Sequence, residues 1–437
     1  MEFNRKIGLA TAIFIIIADV IGTGIFMTTG NLLGMTKHAG IVLVLWSLGG
    51  LVALTGALSY ARLAARWPEN GGEYIYLKNM FGMLPAFLTG WVSLFVGFSA
   101  SVALAAITMI TYMDAFFTSG ILSNPGIQKT ISISIVSLFG FLHIVGLKKG
   151  SIVQNILTIL KIIIVASIIL FGIIYADWSQ INRLSANYSK EETISIFKLG
   201  IPLLMVMFAF SGWNGANYIA GEMKDARKNL PKALLFGVLS ITIIYLLMNI
   251  VFLISSPFDV LKGKDAVGQI ATQNLFGTGF GKIFAIAIAL ILLSSVSVQM
   301  MVGPRIYQAM AEDKVIFGFL KKIHPKYETP YLAIIAQIII AAVYIILGKG
   351  NIMKLLVYMG FALNIFPVLC VIGLIKYQLK ENVSKIKLII PLTYITLSVA
   401  MMTSALIFWT KTSLFAVGIV VIAIPIFFIW KKVVNEN

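Results

Sequence analysis

The feature that most constrains this chain is the recurrence, from one end to the other, of apolar stretches long enough to cross a bilayer. A helix spanning the hydrocarbon core needs about 20 mostly apolar residues. Such stretches fall near 7–33, 40–64, 84–113, 129–146, 152–175, 197–221, 232–255, 278–304, 330–348, 353–375, 387–409 and 412–430, which is twelve. No segment between them is long enough for a soluble domain. The two longest connections, near 176–196 and 256–276, read as short surface pieces. Residues 1–6 carry two bases, Arg5 and Lys6, and lead straight into the first run. That run exceeds the apolar core of a signal peptide, so it reads as a retained first span. The expectation is an all-α membrane protein with residues 1–437 as one transmembrane domain.

Composition removes other classes. Hydrophobic residues make up 59% of the chain and charged residues 12%, about half the charge of a soluble protein. A soluble enzyme and a disordered regulator are excluded on that ground. The single cysteine, Cys370, permits no internal disulfide and no cysteine zinc site. Histidines 38, 143 and 324 are scattered, and no G-x-S-x-G, H-E-x-x-H or phosphate-binding loop is present. We therefore expect neither a membrane-embedded enzyme, nor a metal, nor a cofactor. His143 reads as a satisfied interfacial histidine near the end of span 4.

The net charge of +17 is explained by where the bases sit. With the N-terminus inside, alternate connections hold 22 lysines and arginines on the inner side and 11 on the outer, and Lys161 lies within span 5. This bias predicts both termini in the cytoplasm of a cell-membrane protein. Inner lysines then meet anionic headgroups, and no basic face interleaved with aromatics points to nucleic acid.

Residues that break the apolar rule carry the functional information. In span 1, Asp19 precedes Gly22-Thr23-Gly24; in span 6, Phe208-Ala209-Phe210-Ser211-Gly212-Trp213-Asn214 interrupts an apolar run. Small residues in a span also serve helix packing, so either break alone has two readings. Together they sit in the first span of each set of five, and interrupted helices at matching positions of two halves point to a transporter of inverted repeats. The expected half-helix after Gly24 would offer free amides to a carboxylate. The half-helix ending near Phe210 would offer carbonyls to an ammonium. Asp19 and Lys161 are the charged residues expected deep within spans. They either pair with each other, or Lys161 snorkels, or Lys161 acts as a protonatable group whose charge state stabilises the broken helix in one conformation. Phe208, beside the break, is a candidate gate. Ser294, Ser295 and Ser297 recur within one turn of span 8.

These residues resemble a known family. The run I-G-T-G-I-F at 21–26 resembles the G-S-G-I-F signature of the amino acid–polyamine–organocation superfamily. W-P-E-N-G-G-E-Y at 67–74 resembles its P-x-x-G-G-E-Y loop. F-A-F-S-G-W-N at 208–214, continuing to E-M-K-D-A-R-K-N-L-P at 222–231, is similar to the F-A-Y-x-G-W-N … E-x-x-N-P-x-R-N-L-P pattern of the L-type amino acid transporter branch. G-P-R-I-Y-Q-A-M-A-E-D at 303–313 resembles S-R-x-x-x-A-M-A-R-D-G.

The resemblance implies a leucine-transporter-like fold: repeats at 7–175 and 197–375, discontinuous helices 1 and 6, and extra helices at 387–430. It implies alternating access with an amino acid held between spans 1, 3, 6, 8 and 10. Ile21, Gly22, Thr23, Gly24 and Ile25 match the carboxylate-binding segment; Phe208, Ala209, Phe210, Ser211 and Gly212 match the amine-binding segment, with Phe208 as gate. Lys161 matches a lysine that stands where sodium sits in relatives, and Ser294 and Ser297 match positions facing it; with Asp19 these form the coupling set.

Three departures stand out. Ala226 replaces a proline, Pro304 precedes Arg305, and Asp19 replaces a neutral residue. With no second acid expected beside Asp19, a neutral amino acid is the first substrate choice, carried sodium-independently by exchange or with protons. A cationic amino acid or polyamine, and a non-transporting nutrient sensor, are the alternatives. Cys370, in span 10, leaves no disulfide-linked subunit, so a monomer or homodimer is expected.

Overall fold

The computed structural model describes residues 6–117, 120–184, 196–264, 266–348 and 352–435. Arg5, Lys190 and Lys349 of the charge count lie outside the described residues. The described chain is helical. In order, the helices are α1 (Leu9–Val20), α2 (Thr23–Thr36), α3 (Ala39–Arg66), α4 (Glu73–Phe81), α5 (Met83–Val92), α6 (Ser101–Phe117), α7 (Pro125–Ile144), α8 (Leu147–Tyr175) and α9 (Gly200–Ala209). There follow α10 (Ala226–Ser255), α11 (Phe258–Leu261), α12 (Val267–Phe276), α13 (Thr278–Val302), α14 (Pro304–Glu312), α15 (Tyr331–Leu347), α16 (Ile352–Lys380), α17 (Ile389–Phe408) and α18 (Thr410–Asn435).

Among the described residues, nine helices are long and apolar enough to cross a membrane, ten if the bent pair α1–α2 is one span. The segments expected near 197–221 and 330–348 hold shorter apolar helices, Phe197–Ala209 and Tyr331–Leu347. Helix is the only spanning form open to an isolated apolar run, because every backbone group must find its partner inside the segment. Leu138, Phe141, Ile156, Ile163, Leu170 and Ile174, on α7 and α8, are exposed. Large apolar side chains on an outer face are what a chain solvated by lipid presents.

The inward faces meet in one large core and a smaller one between α6, α7, α13 and α15. α3 packs along α10, α6 along α13, and α1 against α10, α8 and α13. The connection near 256–276 is more than a surface piece, since α12 buries Val267 and Ala271 against α2 and α13. Spans 3 and 8 depart from simple rods. Between α5 and α6 the backbone winds as a π-helix over Ser93–Ala100. α13 runs on through Gly303 into α14, which carries Arg305 into the interior.

Candidate functional site

Span 1 breaks where the sequence places glycine. α1 ends at Val20, Gly22 takes φ −132° and ψ −145°, and α2 starts at Thr23, two residues before the expected start. The two halves bend by 42°. A helix start leaves its first amides without intrahelical acceptors, here those of Thr23, Gly24 and Ile25. The carbonyls freed at the end of α1 are met by side chains from other spans. Lys161 Nζ, on α8, donates to Ala18 O (2.7 Å), Ile21 O (2.6 Å) and Ser295 Oγ (3.0 Å). All three ammonium protons are thereby used. The Ser295 hydroxyl in turn lies 3.1 Å from Ile21 O. The charge also sits at the negative end of the α1 dipole.

Span 6 breaks in parallel. α9 ends at Ala209, and short turns carry the chain to Glu222. Gly212 adopts φ +94°, a conformation that side-chain-bearing residues avoid. The phenol of Tyr245, on α10, lies 2.7 Å from Val20 O and 2.9 Å from Ala209 O, so one hydroxyl bridges the two breaks. Asp19 packs against the second break. A Cβ at Gly212 would lie 2.7 Å from Asp19 Cγ, and one at Gly215 would lie 2.7 Å from Oδ2. Glycine at both positions makes room for the carboxylate.

A cavity of about 70 Å³ lies against the second break, on the N-terminal side of the first. Asp19, Glu73, Thr89, Ser93, Ser101, Ser211, Gly212, Asn214, Gln299 and Asn364 line it, with apolar walls from Val92, Phe98 and Met207. The π-helical stretch turns Ser93, Gly97 and Phe98 toward it; such distortions recur at functional sites. Gln299 Oε1 is buried without a hydrogen-bond partner. No lysine, arginine or histidine is among the lining residues.

The expected site residues divide. Of the ten candidates from the two breaks, Ser211 and Gly212 line the cavity. Ile21 gives its carbonyl to Lys161 and Ser295. Gly22 faces Ser295, with a Cβ there 3.5 Å from Oγ. Thr23 is buried, and Ile25 is fully enclosed in the core. Gly24 packs helix to helix, since a Cβ there would stand 2.6 Å from Ala209 Cα. Phe210 turns away, edge-on to Tyr245 at 5.1 Å and beside Trp46. Phe208 is buried next to Gly360 of α16 and is outside the cavity lining.

The coupling set divides as well. Among the described residues no ion pair joins Asp19 and Lys161. Ser295, rather than Ser294 or Ser297, bonds Lys161. Helical residues step by about 100°, so neighbouring serines face different partners. Ser294 accepts from Gln154 (3.3 Å), and Ser297 pairs with His143 (3.0 Å).

The expectation that Asp19 and Lys161 were the charges held deep in the bundle also needs correction. Arg305, counted among inner-loop bases, is buried and paired with Glu222 (Nε–Oε1 3.0 Å). Glu73, in the W-P-E-N-G-G-E-Y loop, is 5% exposed and is a second acid on the cavity. It accepts from Tyr60 (2.9 Å), from Thr89 (3.2 Å) and from the Asn214 amide. Burial pushes its carboxyl up to about 7, against the pull of those donors. Glu73, Tyr245, Gln299 and Asn364 were all missed. The one available signal was the glutamate in the family-like loop.

Comparison with known proteins places the chain in a family. A model of the amino acid permease family matches residues 7–430. The chain is 29% identical over 438 residues to the serine/threonine exchanger SteT of Bacillus subtilis (strain 168), covering 98% of this chain and 97% of the relative. It is 28% identical over 411 residues to the b(0,+)-type amino acid transporter 1 of Mus musculus, covering 93% and 83%. It is 26% identical over 441 residues to the large neutral amino acids transporter small subunit 2 of Homo sapiens, covering 98% and 81%.

Proposed function

The chain belongs to the amino acid permease family, and from that premise we propose that it is a secondary transporter moving amino acids across the cell membrane by alternating access. One observation carries this reading: two helix breaks, in spans 1 and 6, held against each other by Tyr245 and Asp19. The start of α2 offers amides and a positive dipole end to a carboxylate, and the turns after α9 offer carbonyls to an amine. Backbone atoms then hold the part common to all amino acids, and the cavity side chains sort the rest.

The proposed architecture is twelve crossings: the nine long helices, the bent pair α1–α2, and the spans containing α9 and α15. Repeats at 7–175 and 197–375 would be related by inversion, with 387–430 added and both termini cytoplasmic. Sodium independence follows from Lys161, whose ammonium takes two carbonyls and a hydroxyl as a bound cation would. A neutral substrate is favoured by analogy with relatives named for serine/threonine and for large neutral amino acids. A cationic substrate is the second reading, and the favouring observation is a cavity with two acids and no base.

The test is reconstitution in phosphatidylethanolamine–phosphatidylglycerol vesicles. Labelled serine, leucine, lysine and arginine are offered, with and without internal amino acid. Uptake that requires internal amino acid means exchange; uptake driven by an acid exterior means proton symport. No uptake under either regime would refute the transporter reading and leave the sensor. In Asp19→Asn, an unchanged preference between neutral and cationic amino acids would remove Asp19 from selectivity.

A further inference from the structure

The loop that carries Glu73 is docked along the unwound part of span 6. Gly71 N donates to Tyr218 O (3.0 Å), Gly221 N donates to Asn70 Oδ1 (2.8 Å), and Tyr76 OH donates to Asn217 Oδ1 (2.9 Å). Gly71 and Gly72 have φ +113° and +53°, and a Cβ at Gly72 would stand 2.9 Å from the Tyr218 ring. At the end of this clasp nearest the break, Glu73 holds Asn214, two residues past Gly212. The same carboxylate is tied to α3 through Tyr60 and to α5 through Thr89. One acid thus fastens the unwound stretch to two long spans.

The groups facing Glu73 are Tyr60 from α3, Thr89 and Ser93 from span 3, Asn214 and Tyr218 from span 6, Cys370 from α16 and Tyr394 from α17. Tyr76 lies on its own helix, and Asp19 shares the cavity. From α14, Asp313 bonds Tyr74 and Lys78 on another face of α4. No cation is in the set. A buried acid that only filled space and accepted hydrogen bonds would serve as well as glutamine; one that faces a cavity without a counter-ion is free to exchange a proton.

We propose that Glu73 is the proton-binding site of the transport cycle: ionised, it latches Asn214 and locks the unwound stretch of span 6, and protonated, it lets that stretch go. The proton comes from cavity water, bonds a carboxylate oxygen, and returns by the same route. Once neutral, the acid becomes a donor itself and loses the charge-assisted bond to the Asn214 amide, a bond roughly twice as strong as a neutral one. This rests on the transporter reading above and moves the proton from Lys161, whose three hydrogens are already committed, to the loop acid.

The experiment uses the full chain in the same vesicles, at pH 6–8 on both sides, with the labelled amino acid that wild type exchanges fastest. Between these limits the protonated fraction of a group titrating near 7 changes from about 90% to about 10%, so exchange should change about ninefold. Glu73→Gln should flatten the profile. Thr89→Val removes one donor to the carboxylate and should move the midpoint up by about one pH unit. A wild-type profile that is flat, or one that Glu73→Gln and Thr89→Val leave unmoved, overturns the proposal. In detergent, the melting temperature of wild type minus that of Glu73→Gln should fall as pH rises from 5 to 8. A constant difference also overturns it. Failure of every amino acid to enter, by exchange or under an acid exterior, would sink the transporter reading, while the melting difference would still decide whether Glu73 takes the proton.

Discussion

Lys161→Met keeps the length and apolar bulk of the side chain and removes its ammonium. Three contacts vanish: to Ala18 O at 2.7 Å, Ile21 O at 2.6 Å and Ser295 Oγ at 3.0 Å. The Ser295 hydroxyl has one hydrogen and already lies within 3.1 Å of Ile21 O, so it can rescue only one carbonyl. The other is left buried without a donor, at about 1–3 kcal/mol, and a charge-assisted bond of about 1.5–3 kcal/mol is lost. Relief from burying the ammonium offsets part of this. A net loss of about 3 kcal/mol is expected, about two orders of magnitude in the population of the bent span. Purified Lys161→Met should therefore melt below wild type in detergent and lose exchange in vesicles. Asp19→Asn should not reproduce the melting loss, because no ion pair joins the two residues. The reasoning is refuted if Lys161→Met melts and exchanges like wild type, or if a double-mutant cycle with Asp19→Asn assigns the loss to an Asp19–Lys161 pair.

Tyr245→Phe removes the hydroxyl bridging Val20 O and Ala209 O; about 1–2 kcal/mol of stability should go, with weaker substrate stabilisation in a melting assay. Gly24→Ala forces a methyl onto the Ala209 backbone and should lower the melting temperature through overpacking of about 1–3 kcal/mol, whereas Gly8→Ala, with nothing within 4 Å, should be neutral. Gly212→Ala combines a positive φ with a Cβ 2.7 Å from Asp19 Cγ, so exchange should fall sharply and recover in part when Asp19→Ala is added. The Glu73 carboxyl titrates near 7 in the fold against 4.5 ordinarily, so folding binds its proton between those values. Its contribution is therefore full below about pH 4.5 and is lost as pH rises through 7, about 3 kcal/mol in all. Urea or thermal unfolding of wild type against Glu73→Gln across that range checks the sign.

The sequence made the breaks legible because glycine and polar residues in an apolar run contradict the solvent around them. Lys161 was legible for the same reason. What it left open was direction. Glycine marks where a helix yields, but Gly24 makes a packing contact and Gly212 makes room for a carboxylate, and the two read alike. Phe208 and Phe210 are two residues apart, yet one meets α16 and the other meets Trp46 and Tyr245. Ser295 was within a turn of the residues chosen, and only the relative rotation of α13 and α8 selects it. Tyr245 and Glu73 were beyond reach by periodicity, because each acts across more than a hundred residues of chain. Arg305 looked like a loop base, since nothing local announces that α14 turns inward to meet Glu222.

The most direct measurement is a cryo-electron microscopy structure with the fastest-exchanged amino acid bound. The account predicts its carboxylate on the amides at the start of α2 and its amine on the carbonyls following α9, with the side chain toward Asp19 and Gln299. Density for the amino acid away from both breaks, or held there by side chains with the main-chain groups unengaged, would contradict it.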